Sequence, residues 1–396
     1  MTHATPASDP VDLLGFAEAL LSPRELEAIA AIRAWGDREV TPIIADHWER
    51  AEFPMQVIAP LASLGTCSFA WPESAPFANS AVFRGFVALE LARIDPSVST
   101  FVGVQNGLVA GSLAIAASPA QRAEWLPKVA RCDILGAFAL TEPGSGSDAA
   151  RGLTTTARRD GDRWVLNGQK RWIGNATFAE IAIVWAKDVS DGRVLGFIVP
   201  TATPGFSATK IERKISLRPV QNADITLTDV IVPDELRLGN ATGFATTAAI
   251  LRQTRAEVAW AAVGTAIGAY EAALSYTKAR MQFGRPLAAN QLVQSHLVNC
   301  LGNITASIGM LVRVSQLLDE GQQFDEHSAL AKAYATARMR ETVAWAREAM
   351  GGNGIVLDYA AARYFADAEA LYSYEGTREV NTLIVGRAIT GHSAFV

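Results

Sequence analysis

Apolar residues recur at helical spacing over three long stretches, Ala249–Met281, Leu292–Gly321 and His327–Met350, each rich in Ala, Leu, Arg and Glu. Proline is expelled from helix interiors, and of 17 prolines only Pro286 lies beyond Pro233. Stretches this long predict a bundle of helices. The middle of the chain changes period. Trp164-Val165-Leu166, Asn167-Gly168 and Gln169–Ile173 read as a strand, a type I′-like turn and a strand. Ile181–Ala186, Val194–Val199 and Ile225–Val232 are further strands, with turn signals at Asp191-Gly192, Pro204-Gly205 and Pro233-Asp234. The first 130 or so residues read as helical again. Ser22 caps a helix that starts at Pro23, Glu25 completes a capping box, and Val82–Ile94 and Gln105–Ala117 are further helices. No internal repeat is visible. The pattern predicts a mainly α chain with a central β-domain.

Composition narrows the function. The chain has 396 residues, 49% hydrophobic and 19% charged, with net charge −5 and a pI near 5.7. That is an ordinary globular balance, large enough for more than one domain. It lacks the clustered Lys and Arg of a nucleic-acid surface. No apolar run reaches the roughly 18 residues that suggest a membrane span. Met1–Asp9 reads as a polar tail rather than a leader, and Ser393-Ala394-Phe395-Val396 is not a Ser-Lys-Leu address, so a cytoplasmic location is expected. Cys67, Cys132 and Cys300 are widely spaced and odd in number, which fits a reducing compartment. His3, His47, His296, His327 and His392 are scattered, and without ligand spacing no metal is expected.

Four local features carry chemistry. Thr141-Glu142-Pro143-Gly144-Ser145-Gly146-Ser147-Asp148 has small residues whose backbone N–H groups suit a flat or anionic ligand, though a surface turn reads equally well. Gly144-x-Gly146-x-x-Ala149 imitates a dinucleotide fingerprint. A strand pair follows it where a helix is required, so a Rossmann reading is rejected. Gly351-Gly352-Asn353-Gly354 has more glycine than a helix C-cap needs, though a structural helix end reads equally well. Arg280-Met281-Gln282-Phe283-Gly284-Arg285-Pro286-Leu287 separates two helices and offers guanidiniums to a pyrophosphate, or is a solvated loop. Tyr374-Glu375-Gly376-Thr377 sets a carboxylate among aromatic residues, where a dry setting would raise its pKa and make it a general base. Read alone, a Glu before Gly is a turn residue.

Together and in this order, these features resemble the acyl-CoA dehydrogenase family, in the branch of glutaryl-CoA dehydrogenases and plant-type short-chain acyl-CoA oxidases. Lys170-Arg171-Trp172-Ile173-Gly174-Asn175, Lys214-Ile215-Ser216-Leu217-Arg218 and Gly386-Arg387-Ala388-Ile389-Thr390-Gly391 support the resemblance, which runs over nearly the whole chain. It implies an N-terminal helical domain over 12–133, a β-barrel-like domain over 134–243 and a C-terminal four-helix bundle over 244–396. It also implies FAD, an acyl-CoA substrate, an electron-transfer flavoprotein as acceptor, and a homotetramer in which a neighbouring subunit touches each FAD. Phe138, Leu140, Thr141, Gly146, Ser147, Trp172, Ile173 and Gly174 are then expected at the flavin ring. Arg280, Gln282, Phe283 and Gln291 would come from the neighbour, with Glu348, Gly351 and Gly352 on the pyrophosphate and adenine side. Thr377, Glu379 and Phe395 would lie near the dinucleotide. Ser147, Ser99, Thr254, Arg255, Tyr374 and Gly376 would face the CoA arm or acyl chain.

The implied mechanism has Glu375 remove the α-proton of a thioester while the β-hydrogen leaves as hydride. The backbone N–H of Glu375 would help hold the carbonyl oxygen as enolate charge develops. Some relatives place the base on a bundle helix, at the position of Thr254, which cannot serve; nearby Glu257 is expected to be structural. Ser99 stands where glutaryl-CoA dehydrogenases carry an arginine for a distal carboxylate, so a neutral short or medium acyl chain is expected. Gly174 replaces a threonine common in dehydrogenases and leaves room for oxygen. The alternatives are therefore an acyl-CoA oxidase, a glutaryl-CoA dehydrogenase and a non-catalytic CoA- or flavin-binding protein.

Overall fold

The computed structural model describes residues 10–395; the expected polar tail Met1–Asp9, with His3, and Val396 lie outside the described residues. The chain folds as helices, then a curled sheet, then helices. The N-terminal part holds α1 (Pro23–Trp35), α2 (Ala81–Ile94), α3 (Pro96–Ala116, with a π-helical middle at Gly103–Ala110) and α4 (Pro119–Ala130). Ser22 forms the expected capping box with Glu25, and Ser118 forms a second with Gln121. Helix α3 starts well before the expected Gln105. Asp95 caps it by accepting from the backbone N–H of Ser97 and Val98, and Pro96 occupies its first turn.

The sheet has seven strands: β1 (Gly136–Ala139), β2 (Thr156–Asp160), β3 (Arg163–Ile173), β4 (Ile181–Asp188), β5 (Val194–Pro200), β6 (Phe206–Lys210) and β7 (Ala223–Pro233). Their order is β1-β4-β2-β3-β7-β6, with β5 on the other side of β4. The hairpin expected at Asn167-Gly168 is not one, because β3 runs straight through both residues. A type I′ turn needs positive φ at both central residues, yet only Gly168 has it, at a nearly extended 152°. The pair instead forms an irregularity opposite β7, where Asn167 Nδ2 donates to Asp229 Oδ1 at 2.9 Å and Asp229 N donates to Asn167 Oδ1 at 2.8 Å. The β2–β3 turn lies at Gly161, with φ 66°.

The C-terminal part contains α5 (Phe244–Ala279), α6 (Gln291–Asp319), α7 (Asp325–Ala349), α8 (Ala361–Ser373) and α9 (Arg378–Thr390). The three long helices stand where apolar periodicity placed them, with ends shifted by a few residues. Helix α5 has 36 residues, about 54 Å of rise. Its middle is shared by both helical parts: a Cβ on Gly264 would sit 1.9 Å from Leu89 O in α2. One core cluster consequently joins α2 residues such as Leu91 to Trp260, Leu311 and Val343 of the bundle. Run length understated the apolarity of two helices. Pro96–Ala116 and Gln291–Asp319 are long and apolar enough to cross a membrane by hydropathy; of the apolar 18-residue stretch of each, 72% is buried in the molecule in α3 and 39% in α6. Alternating small and polar residues broke up the runs without lowering the mean. Helix α6 leaves Leu292 80% and Val298 67% exposed. Cys67, Cys132 and Cys300 are free thiols.

Candidate active site

A cavity of 1320 Å³ lies where α2, α3, the sheet, α5 and the α8–α9 turn meet. It exceeds the roughly 300–1,000 Å³ of an ordinary small-molecule site. Its sheet-side wall includes Phe138, Leu140, Thr141, Gly146, Ser147, Trp172, Ile173 and Gly174. The glycine loop is anchored from below. Glu142, buried, accepts from Lys170 Nζ at 3.0 Å, Thr154 N at 2.6 Å and Thr155 N at 2.9 Å. Burial works against the Glu142 charge, but Lys170 and the threonines hold it down at about 2. Burial also draws Lys170 down to about 8 against the pull of Glu142. With the loop's carboxylate turned inward, a Cβ at Gly144 or Gly146 would meet nothing within 4 Å, so open space faces this backbone. Trp172 is 52% exposed, has φ 65° and lies under the Arg171 guanidinium at 5.0 Å.

Across the cavity stands the turn between α8 and α9. Glu375 takes left-handed φ of 56°, uncommon for a residue with a side chain, and Gly376 follows at 84°. Lys332, buried in α7, holds the turn through three carbonyls: Tyr372 O at 3.1 Å, Tyr374 O at 2.7 Å and Gly376 O at 2.6 Å. Asn381 Nδ2 donates to Gly376 O at 2.9 Å and Thr377 O at 3.0 Å, while Thr377 Oγ1 caps α9 at Val380 N. Among the described residues the backbone N–H groups of Glu375 and Gly376 have no hydrogen-bond partner. Glu375 Oε1 accepts from Thr254 Oγ1. Burial raises the Glu375 pKa, opposed by the Thr254 hydrogen bond and by Arg255 and Lys332. Arg255 is buried, with no hydrogen-bond partner at Nε or Nη1. The arrangement is a basic carboxylate, two unpaired N–H donors and a buried cation on one wall, facing an open glycine loop on the other.

Three family models match the chain: Acyl-CoA dehydrogenase, N-terminal domain, over residues 22–133; middle domain, over 137–230; and C-terminal domain, over 241–390. The chain belongs to the acyl-CoA dehydrogenase family. It is 32% identical over 365 residues to an acyl-CoA dehydrogenase of Bacillus subtilis (strain 168), covering 91% of this chain and 96% of that one. It is 32% identical over 358 residues to the mitochondrial short-chain specific acyl-CoA dehydrogenase of Mus musculus, covering 89% and 87%. The crystal structure of a glutaryl-CoA dehydrogenase from Mycobacterium smegmatis matches with TM-score 0.94 at 35% identity, covering 98% of this chain and 100% of that one. A structure of such an enzyme in complex with FADH2 matches with TM-score 0.94 at 33% identity and the same coverage.

In this family member the cavity also collects Ser99, Thr254, Arg255, Tyr374, Glu375, Gly376, Thr377 and Phe395. It does not collect Arg280, Gln282, Phe283, Gln291, Glu348, Gly351, Gly352 or Glu379. All eight are exposed. Arg280–Leu287 forms a two-stranded hairpin with Phe283 at its tip, 98% exposed. Gly351–Ile355 is a 3-10 turn held by Asn353 Nδ2 donating to Tyr276 Oη at 2.8 Å. Glu257, expected to be structural, departs from that reading: it lines the cavity and makes no hydrogen bond among the described residues. Sequence reasoning also passed over Lys332. Its signal was a lysine on the buried stripe Ser328, Ala331, Ala335 and Met339 of α7.

Proposed function

We propose that this protein oxidises an acyl-CoA thioester at its α,β carbons, using FAD held in the cavity and Glu375 as the base. The observation that carries the reading is the Glu375 turn: a half-buried carboxylate with raised pKa beside two unpaired backbone N–H groups, on the wall of a cavity larger than one small ligand requires. When bound, FAD supplies the two-electron sink for the hydrogen lost from the β carbon.

The residues present suit that cofactor. The open Gly144–Gly146 backbone, exposed Trp172 and the apolar faces of Phe138 and Leu140 offer a flat ligand both contact and N–H donors. Thr141, Ser147, Ile173 and Gly174 complete that side, with Thr377 and Phe395 nearer the chain's end. Arg280, Gln282, Phe283 and Gln291 would serve a neighbouring subunit's FAD, as would Glu348, Gly351 and Gly352; Phe283 at 98% exposure and the bare Leu292 and Val298 on α6 suit a subunit contact.

The chain's own groups then act in order. Arg255 and Ser147 meet the CoA arm, and Gly376 lets the thioester lie close to backbone. The N–H of Glu375 holds the carbonyl oxygen and stabilises charge as the enolate develops. Glu375 receives the α-proton at its carboxylate; Thr254 aims that carboxylate from α5. Ser99 in place of a cation favours a neutral short or medium acyl chain. An electron-transfer flavoprotein is the favoured acceptor. The room expected at Gly174 is small, since a Cβ there would already stand 3.2 Å from Val104 Cγ2. Anaerobic flavin bleaching by butyryl-CoA tests the reading: Glu375→Gln should retain FAD and bleach at least about 10³-fold more slowly. Equal bleaching would remove Glu375 from the reaction. Rapid hydrogen peroxide formation in air without a carrier would instead make the protein an oxidase.

A further inference from the structure

One part of the cavity does not fit a plain hydrocarbon chain. Glu257 lies three residues after Thr254 on α5, one turn and about 5 Å further along the helix from the group that touches Glu375. Both face the same way: a Cβ on Gly107 of α3 would meet Glu257 Oε2 at 2.7 Å and Thr254 Cγ2 at 2.9 Å. Glu257 is half-buried, lines the cavity and has no hydrogen-bond partner among the described residues. Asn106, beside Gly107, is only 8% exposed, lines the same cavity and makes no hydrogen bond there either, with Oδ1 unpaired. Arg84 of α2 also reaches this wall, but its guanidinium donates to Asn79 Oδ1 at 3.0 Å and pairs with Asp319 at 3.7 Å. A half-buried carboxyl and a buried amide oxygen left without partners in one pocket carry a desolvation cost, and such groups are normally satisfied by something that binds.

The charges decide what that something is. A distal carboxylate would meet the Glu257 carboxyl, and the nearest cation, Arg84, is already committed to Asn79 and Asp319. A distal ammonium needs an ionised counter-ion, and burial pushes the Glu257 carboxyl up to about 7, which leaves it a weak one. A neutral donor meets neither objection. From these placements, and resting on the acyl-CoA reading above, we propose that the acyl chain of the preferred substrate carries a neutral hydrogen-bond-donating group, a hydroxyl or carboxamide, which Glu257 and Asn106 bind one helical turn beyond the reacting carbons. Glu257 and Asn106 are then specificity residues. The reacting carbons stay with Glu375, and the far end of the chain selects the substrate.

The test uses the FAD-loaded Glu375→Gln protein, so that binding is read without turnover. Four thioesters of matched length are titrated by calorimetry: hexanoyl-CoA, δ-hydroxyvaleryl-CoA, δ-aminovaleryl-CoA and glutaryl-CoA. The hydroxy compound should bind about tenfold more tightly than hexanoyl-CoA, and the two charged compounds more weakly than the hydroxy compound. Adding Glu257→Leu should reverse the order of the first two, whereas Glu257→Gln should keep it. If the leucine variant does not fold, Asn106→Leu must lower the ratio severalfold in its place. Equal or tighter binding of hexanoyl-CoA, preference for glutaryl-CoA, or a ratio untouched by either leucine overturns the proposal. If hexanoyl-CoA binds and bleaches the flavin of the Glu375 protein but the ratio fails, only the specificity proposal falls. If none of the four binds, the acyl-CoA reading falls with it.

Discussion

Removing the Lys332 ammonium should cost this protein far more rate than stability. The side chain donates to Tyr372 O, Tyr374 O and Gly376 O. Gly376 O keeps a second donor, Asn381 Nδ2 at 2.9 Å, so Lys332→Met orphans two carbonyls. At about 2 kcal/mol for each buried unpaired group, the loss is about 4 kcal/mol. Against it stands the cost of burying the charge. Burial draws Lys332 from 10.5 down to about 8, with Glu375 opposing and Arg255 adding to the fall. That difference, at about 1.36 kcal/mol per pH unit, returns about 3 kcal/mol near pH 7 when the charge is removed. The two nearly cancel, and the net destabilisation should be about 1 kcal/mol.

The rate has no such compensation. Glu375 sits at φ 56° between carbonyls pinned from α7, with Asn381 holding only the second of them, and a left-handed non-glycine residue relaxes when released. A displacement of about 1 Å in a catalytic group costs about 10²-fold. Lys332 also holds the Glu375 pKa down, so its loss should move the acid limb of the pH–rate profile upward. The assay pairs chemical denaturation with anaerobic flavin bleaching by butyryl-CoA between pH 6 and 9. Bleaching within twofold of the parent, with an unmoved limb, would show that the clamp does not position the base. A stability loss above about 4 kcal/mol would show that the charge-burial relief is absent.

Thr254→Val removes the hydrogen bond that favours ionised Glu375; the acid limb should again move to higher pH, with stability lowered by about 1 kcal/mol, as bleaching profiles and denaturation would show. Burial raises Glu257 from 4.5 to about 7, aided by Glu375 and opposed by Arg84. The folded chain therefore keeps a proton that the unfolded chain releases, and stability falls as pH climbs through that window. Glu257→Gln should gain about 3 kcal/mol at pH 8 and little at pH 4, so an equal gain at both values would contradict the assignment. Gly174→Thr must push on Val104, since its Cβ alone would lie 3.2 Å from Cγ2; the variant should lose flavin affinity severalfold without changing peroxide yield. A large drop in peroxide would restore Gly174 as an oxygen port.

The helical bundle was legible because proline exclusion and apolar spacing agree over long windows. The strands were harder to place. Asn167-Gly168 carries a strong hairpin signal, yet the pairing of β3 with β2 on one side and β7 on the other holds the dipeptide extended. Short β1, β2 and β6 went unseen because Gly136–Ala139 and Phe206–Lys210 have too few alternating positions to stand out. Ser147, Trp172, Thr254, Arg255 and Glu375, far apart in sequence, line one cavity. Lys332 and Glu257 were hidden for opposite reasons. One is an internal cation whose partners are backbone carbonyls forty and more residues away. The other looks like any helix glutamate until α3 is laid against it.

The same contacts give a physical reason for the proposed base to sit on a turn rather than on α5. A helical residue spends its N–H on the carbonyl four residues earlier, so a base on α5 could not also offer a backbone donor to the substrate. Between α8 and α9 the ladder is interrupted, and Glu375 presents carboxylate and N–H from one residue. The interruption costs hydrogen bonds and a left-handed φ, and Lys332 with Asn381 offsets that cost from the carbonyl side. Thr254 then keeps a link to α5 without an acid there. In the proposed reaction, proton removal and charge stabilisation would thereby be fixed relative to each other within a single residue, leaving the acyl chain to be read one turn further down α5.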